Sequence, residues 1–154
     1  MAPKAVRVFL DSNVILSGFI SERGAPRILM DLFSLGLPLL KGLTGRYNLI
    51  EIERNLNNKL PGCLPIYKEY FPKLNFEIIP LSSREEIKKY AGTTAAKDVP
   101  VLVSAINGKA DFLVTGDKKD FLNLKLKSSF LFGIISPAEF LVLIPAFLEG
   151  SYWS

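Results

Sequence analysis

Apolar positions dominate the first stretch of the chain, Val6-Arg7-Val8-Phe9-Leu10, and stop abruptly at Asp11. Such a run has strand propensity and too little alternation for a sheet with one wet face. It predicts a buried central strand of a parallel sheet. Residues 13–20 then read as a short helix. Gly24-Ala25-Pro26 opens another, with Ile28, Leu29, Leu32 and Phe33 on one face and Gly36 at its end. A second strand is predicted over residues 37–40. Residues 48–60 read as a helix stopped by Pro61-Gly62, and residues 64–71 as a short helix before Pro72. Residues 76–79 predict a third strand, closed by Pro80. Ser82 or Ser83 then caps a helix with Glu85 and Glu86 in its first turn and Lys88 and Lys89 later, the order the helix dipole favours. After a loop at Gly92-Thr93-Thr94, residues 98–107 form a helix ended by Gly108. Residues 112–115 and 130–135 supply the fourth and fifth strands, and a last helix starts at Pro137. Strands alternate with helices, so the expected fold is α/β, with a mostly parallel sheet covered on both faces.

Carboxylates fall at telling places in this pattern. In open α/β sheets ligands sit outside the carboxyl ends of the strands, which is where Asp11 stands. Asp11 equally suits a cap on the next helix. The stretch Asp111-Phe112-Leu113-Val114-Thr115-Gly116-Asp117 repeats the logic: a buried strand ends in a hydroxyl, a glycine and a carboxylate. If the two strands are neighbours, Asp11 and Asp117 share one crevice. Asp120 comes a turn later and either joins them or is a solvated charge beside Lys118 and Lys119. Asp111 lies at the opposite end of its strand and reads as a turn residue. Asp98 shares a helix face with Val101, Leu102, Ala105 and Ile106, which turns it inward, although an N-cap ahead of Pro100 explains it as well. On the helix after Asn48 the apolar stripe Leu49, Ile52, Leu56, Leu60 favours Glu53 over Glu51 as the inward acid.

Composition narrows the chemistry. The chain has 154 residues, 49% hydrophobic and 22% charged, enough for one domain with its own core and too few for two. We expect that domain to span 1–154, with its core over about 6–144 and a tail at 149–154. A net charge of +4 permits a polyanionic partner without demanding one. There is no histidine, which excludes Ser-His and Cys-His pairs and imidazole-bound zinc. The single cysteine, Cys63, excludes an internal disulfide framework. Residues 130–148 are apolar, but Pro137, Glu139 and Pro145 interrupt them, and they read as core rather than a membrane span. No secretory signal is apparent, so a cytoplasmic protein is expected.

Together these motifs resemble the PIN-domain family. Phe9-Leu10-Asp11-Ser12-Asn13-Val14-Ile15-Leu16 resembles its opening, and Glu51-Ile52-Glu53-Arg54-Asn55-Leu56 its acidic helix. Lys97-Asp98-Val99-Pro100-Val101-Leu102-Val103-Ser104-Ala105 resembles its third acidic motif, and Val114-Thr115-Gly116-Asp117-Lys118-Lys119-Asp120-Phe121 its fourth. Ser136-Pro137-Ala138-Glu139 looks like its closing strand-to-helix junction. Each motif is weak alone; their order and spacing over residues 7–143 are specific. Ser12 stands where Thr is commoner and keeps the hydroxyl.

The resemblance implies a three-layer α/β/α PIN-like fold with a central, mostly parallel five-stranded sheet. It implies a metal-dependent ribonuclease, often the toxin of a VapBC-type toxin–antitoxin pair. The carried-over acids are Asp11, Glu51, Asp98 and Asp117, with Asp120 as an auxiliary metal ligand and Ser12, Asn13, Thr115 and Gly116 in support. Here the template selects Glu51, against the periodicity argument for Glu53. Crowded carboxylates need a compensating cation, and oxygen ligands without imidazole suit Mg²⁺ or Mn²⁺. Arg46, Lys118, Lys119, Lys125 and Lys127 are candidates for holding an RNA backbone. A cognate antitoxin and a homodimer are the implied partners, and a mean hydropathy of +0.26 agrees with shared apolar surface. Two rivals remain. A non-catalytic PIN-like module would bind RNA or protein through the same fold. A haloacid-dehalogenase-like phosphatase would use Asp11 as nucleophile, but needs a second acid where Asn13 stands.

Overall fold

The computed structural model of the chain describes residues 4–121 and 132–149. Its sheet grows outward from β1 (Val6–Leu10), which pairs with a strand on each side. On one flank lie β2 (Leu40–Gly45) and then β3 (Glu77–Ile79). On the other lie β4 (Phe112–Val114) and then β5 (Gly133–Ile135). The order is β3-β2-β1-β4-β5, and every pairing is parallel. Parallel neighbours need long crossovers, and helices supply them. α1 (Ser12–Ile20) and α2 (Ala25–Ser34) join β1 to β2; α3 (Arg46–Lys59) and α4 (Leu64–Tyr70) join β2 to β3. α5 (Arg84–Lys89) and α6 (Val99–Asn107) precede β4, and α7 (Pro137–Glu149) comes after β5.

Alternation along β1 sorts the core into two faces. Val6, Val8 and Leu10 pack with Ile15, Leu29, Ile52, Leu56, Phe140 and Phe147, so α1, α2, α3 and α7 cover one side. Phe9 packs with Leu43, Leu113 and Ile134 against Val101, Leu102 and Ala105 of α6 on the other. This is the expected three-layer α/β/α arrangement with a central five-stranded sheet. At the start of α5 the capping box uses Ser83, not Ser82: Glu86 N–H donates to Ser83 Oγ at 3.1 Å, and Ser83 N–H to Glu86 Oε1 at 2.9 Å. The apolar C-terminal stretch does pack as core, with Phe140, Ile144 and Phe147 buried, so the core runs past residue 144. Among the described residues no helix is long and apolar enough to cross a membrane. Residues 130 and 131 of the predicted fifth strand lie outside the described residues.

Two expectations fail for packing reasons. The second strand begins at Leu40, where the predicted one ended, and runs through Lys41-Gly42-Leu43-Thr44-Gly45. Glycines hide it, because they weaken strand propensity, yet Gly42 is required. A Cβ at Gly42 would stand 2.6 Å from the Phe76 ring. In α2, Ile28 is exposed and Met30 is buried with Leu29 and Phe33. The inward face turns toward α1 because Gly18 leaves the gap that Met30 fills.

Gly18→Ala tests that packing. Its Cβ would meet the Met30 side chain and stand 2.7 Å from the Pro26 carbonyl oxygen, which cannot swing away. Urea unfolding should show a loss of about 1–3 kcal/mol. Gly62→Ala, with nothing within 4 Å of the added methyl, should change stability by less than about 0.5 kcal/mol.

Candidate active site

Strand register assembles the site. Leu10 pairs with Val114, so Thr115 comes level with Asp11 on one side; Phe9 pairs with Leu43, so Gly45 comes level with it on the other. The Asp11 N–H donates to the Val114 carbonyl at 3.0 Å, which holds the residue in the plane of the sheet. All three stand at the carboxyl edge, where α1 and α3 begin.

Asp11 is both a cap and a site residue. Its Oδ1 accepts from Ser12 N–H at 2.7 Å and from Asn48 Nδ2 at 3.3 Å; its Oδ2 accepts from Thr115 Oγ1 at 2.8 Å. Thr115 Oγ1 accepts in turn from Asp117 N–H at 3.1 Å, so its own proton is committed to Asp11. Asn13 closes the other side: Oδ1 accepts from Gly116 N–H and Nδ2 donates to Asp117 Oδ2, both at 3.0 Å. Ser12, Asn13, Thr115 and Gly116 thus tie the ends of β1 and β4 together.

A cleft of about 210 Å³ opens above Asp11, and Glu51, Asp98 and Asp117 all border it. Asp98 directly precedes α6 and is half-buried, and its side chain makes no capping hydrogen bond to that helix. Glu51 and Asp117 are exposed at the rim. Glu53 is the more buried of the two helix acids, as periodicity predicts, but it is turned toward Tyr67, whose hydroxyl its charge affects. Asp120 lies in the single turn Lys118–Phe121, and its side chain lies outside the described residues, as do Lys125 and Lys127. Asp111 is at the far edge of the sheet, where its Oδ2 accepts from Arg7 N–H at 2.8 Å.

Sequence reasoning missed Asn48 as a site residue and named Lys97 only as a neighbour of Asp98. Lys97 lines the cleft beside the acids. Asn48 is completely buried and donates to Ser12 Oγ at 2.8 Å as well as to Asp11. A polar residue in register with the buried Ile52 and Leu56 stripe was the available signal: Asn48, Ile52 and Leu56 share one helix face.

Burial is the main cause that pushes the Asp11 carboxyl from 3.8 up to about 6. The hydroxyl of Thr115 and the N–H of Ser12 pull it down, while the charges of Glu51 and Asp98 push it further up. Burial and the same two acids also raise the Tyr47 hydroxyl. Its oxygen donates to the Lys97 carbonyl at 3.3 Å. The cleft is therefore electronegative. Its acids stand apart: among the described residues no three of His, Cys, Asp and Glu are grouped closely enough to hold an ion by themselves.

Two solved structures share this fold. One is a chain of VapBC2 from Rickettsia felis, in a crystal structure bound to a DNA fragment from the promoter. It matches with a TM-score of 0.60 and 16% identity over 85% of this chain and 98% of that chain. The other is a chain of FitAcB from Neisseria gonorrhoeae, with a TM-score of 0.59 and 17% identity over 84% and 97%. The likeness shows the PIN-like fold that the motifs implied. No family model matches the sequence, and no curated protein does either.

The raised Asp11 carboxyl has a signed consequence for stability. The folded protein holds this proton up to about pH 6, whereas the unfolded chain loses it near 3.8. The stabilisation is complete below 3.8 and lost as pH rises through about 6. Urea midpoints of the metal-free protein should show Asp11→Asn gaining on wild type across that window, by on the order of 2–3 kcal/mol. A constant difference from pH 4 to pH 7 would remove Asp11 as the cause.

Proposed function

We propose that the chain is a PIN-domain endoribonuclease that hydrolyses RNA phosphodiesters with Mg²⁺ or Mn²⁺, as the toxin of a VapBC-type toxin–antitoxin pair. One observation carries this reading. Asp11, Glu51, Asp98 and Asp117 come from separate segments and border one cleft, where burial, with the charges of Glu51 and Asp98 adding to it, raises the Asp11 carboxyl to about 6. A cleft built that way attracts a cation and, without one, repels a phosphodiester.

The donor set fits a hard cation. Mg²⁺ commonly keeps several waters and takes only one or two protein carboxylates, which suits acids that stand apart. One or two of Asp11, Asp98, Asp117 and Glu51, which border the cleft, would hold it, the rest acting through its waters. When bound, the ion lowers the pKa of a water and offsets charge at phosphorus. The protein's own part is positional. Thr115 and Ser12 N–H keep Asp11 turned to the cleft, Asn13 keeps Asp117 beside it, and Lys97 presents a positive charge where a phosphate would enter. The family assignment and the antitoxin partner are supported by the fold shared with VapBC2 and FitAcB chains. A homodimer is supported by apolar side chains left outside, Leu35 at 68% and Val142 at 78% exposure.

The spacing of the acids also favours a second reading, a PIN-like module that binds RNA without cutting it. The phosphatase reading is not favoured: where it needs an acid, Asn13 is engaged with Gly116 and Asp117.

Incubating purified wild type with structured and single-stranded RNA should give cleavage that needs Mg²⁺ or Mn²⁺, stops with chelator and weakens as salt rises. Asp98→Asn and Glu51→Gln should each cost about 10–100-fold or more in rate while Glu53→Gln costs little. Metal binding without any cleavage would select the binding module. Equal rates for wild type and Asp98→Asn would place the activity elsewhere.

A further inference from the structure

Asn48 forms part of the inner wall behind the cleft and uses both of its amide protons there. One goes to Ser12 Oγ at 2.8 Å and the other to Asp11 Oδ1 at 3.3 Å. Chemistry sets this orientation, because an ionised carboxylate only accepts and so the amino end must face Asp11. The carbonyl end turns toward Gly45, where an added Cβ would stand 2.8 Å from Asn48 Oδ1 and 2.8 Å from Ser104 Oγ. Buried there, Asn48 Oδ1 has no hydrogen-bond partner among the described residues. That unmet acceptor offsets part of what the two donated bonds contribute to folding.

We infer that Asn48 is a positioning residue that orients the Ser12 hydroxyl as a hydrogen-bond donor for a substrate phosphate, while fixing the rotation of the Asp11 carboxylate. Ser12 Oγ accepts from Asn48, which leaves its own proton to be donated elsewhere. Ser12 lines the cleft, so that proton is available to an anionic oxygen there. Among the described residues the charged groups lining the cleft, apart from Lys97, are acids, and a neutral donor beside Asp11 is a place where a phosphodiester oxygen can bind without repulsion. The role of Ser12 rests on the nuclease reading; the geometry of Asn48 does not.

The test compares full-length wild type, Asn48→Leu, Ser12→Ala and the double variant. Asn48→Leu should melt a few degrees below wild type, because buried Asp11 Oδ1 and Ser12 Oγ each lose a donor, and should also lose about tenfold in kcat/KM on RNA, a loss typical of a removed supporting contact. Ser12→Ala should lower kcat/KM mainly through KM, and should cost little more in the Asn48→Leu background. A lower melting temperature with unchanged kcat/KM would make Asn48 merely structural, and losses that multiply would show that it does not act through Ser12. Hydrogen exchange of the Asn48 side-chain amide gives a readout independent of catalysis. It should be slow in wild type and faster in Ser12→Ala; fast exchange in wild type would overturn the positioning role. Slow exchange in a protein that cuts no RNA would keep that role and sink the nuclease reading.

Discussion

A carboxylate taken out of water is the constraint that the rest of this structure answers to. Asp11 is 7% exposed, and a charge so placed must be paired or hydrogen-bonded. The protein supplies donors from three elements: the first N–H of α1, the hydroxyl after β4 and the amide of Asn48 on α3. They do not offset the burial, to which the charges of Glu51 and Asp98 add, and the carboxyl still sits at about 6. What remains is a site that is stable when protonated and strained when charged. A cation in the cleft would resolve that strain at neutral pH.

The topology brings these carboxylates to one edge. With every strand parallel, all carboxyl ends fall on one edge, and each helix after a strand starts there. Asp11, Gly45 and Thr115 are level across the three central strands for that reason. The starts of α1 and α3 point their positive dipole ends at the same edge, a partial offset. At the opposite edge the balance differs. There the Arg7 guanidinium pairs with Glu77 at 2.7 Å and donates to the Gly108 carbonyl at 2.8 and 3.0 Å. Asp111 accepts from the Arg7 backbone beside it. Among the described residues Arg7 is paired at that edge, whereas the acids lining the cleft outnumber its one lysine.

How much of this was legible in the chain depends on whether the signal was local. The strand ending at Asp11, the capping box at Ser83 and the helix bounds over most of the chain are written in neighbouring residues, and they appear in the fold. β2 is not: Gly42 has poor strand propensity, and its reason, the Phe76 ring, lies 34 positions away in sequence. Glu51 and Glu53 show the limit of periodicity. It ranks their burial correctly, with Glu53 the more buried, but the cleft lies on the exposed flank of the buried stripe, where Glu51 projects. Asn48 was missed because only the level approach of Gly45 and Asp11, set by the sheet, makes it a contact. Asp98 was open between cap and site; the absence of a capping bond and its place on the cleft distinguish the two geometries.

The central claim is that the excess charge around Asp11 exists to receive a divalent cation. Calorimetric titration of Mn²⁺ into the wild-type protein at pH 6, in two buffers with different ionisation enthalpies, tests it most directly. At that pH about half of the Asp11 carboxyls carry a proton that the ion must displace. The account predicts binding whose apparent heat differs between the buffers by a fraction of a proton released, and affinity that strengthens toward pH 7.5. No binding, or binding with the same heat in both buffers and the same affinity at both pH values, would contradict it.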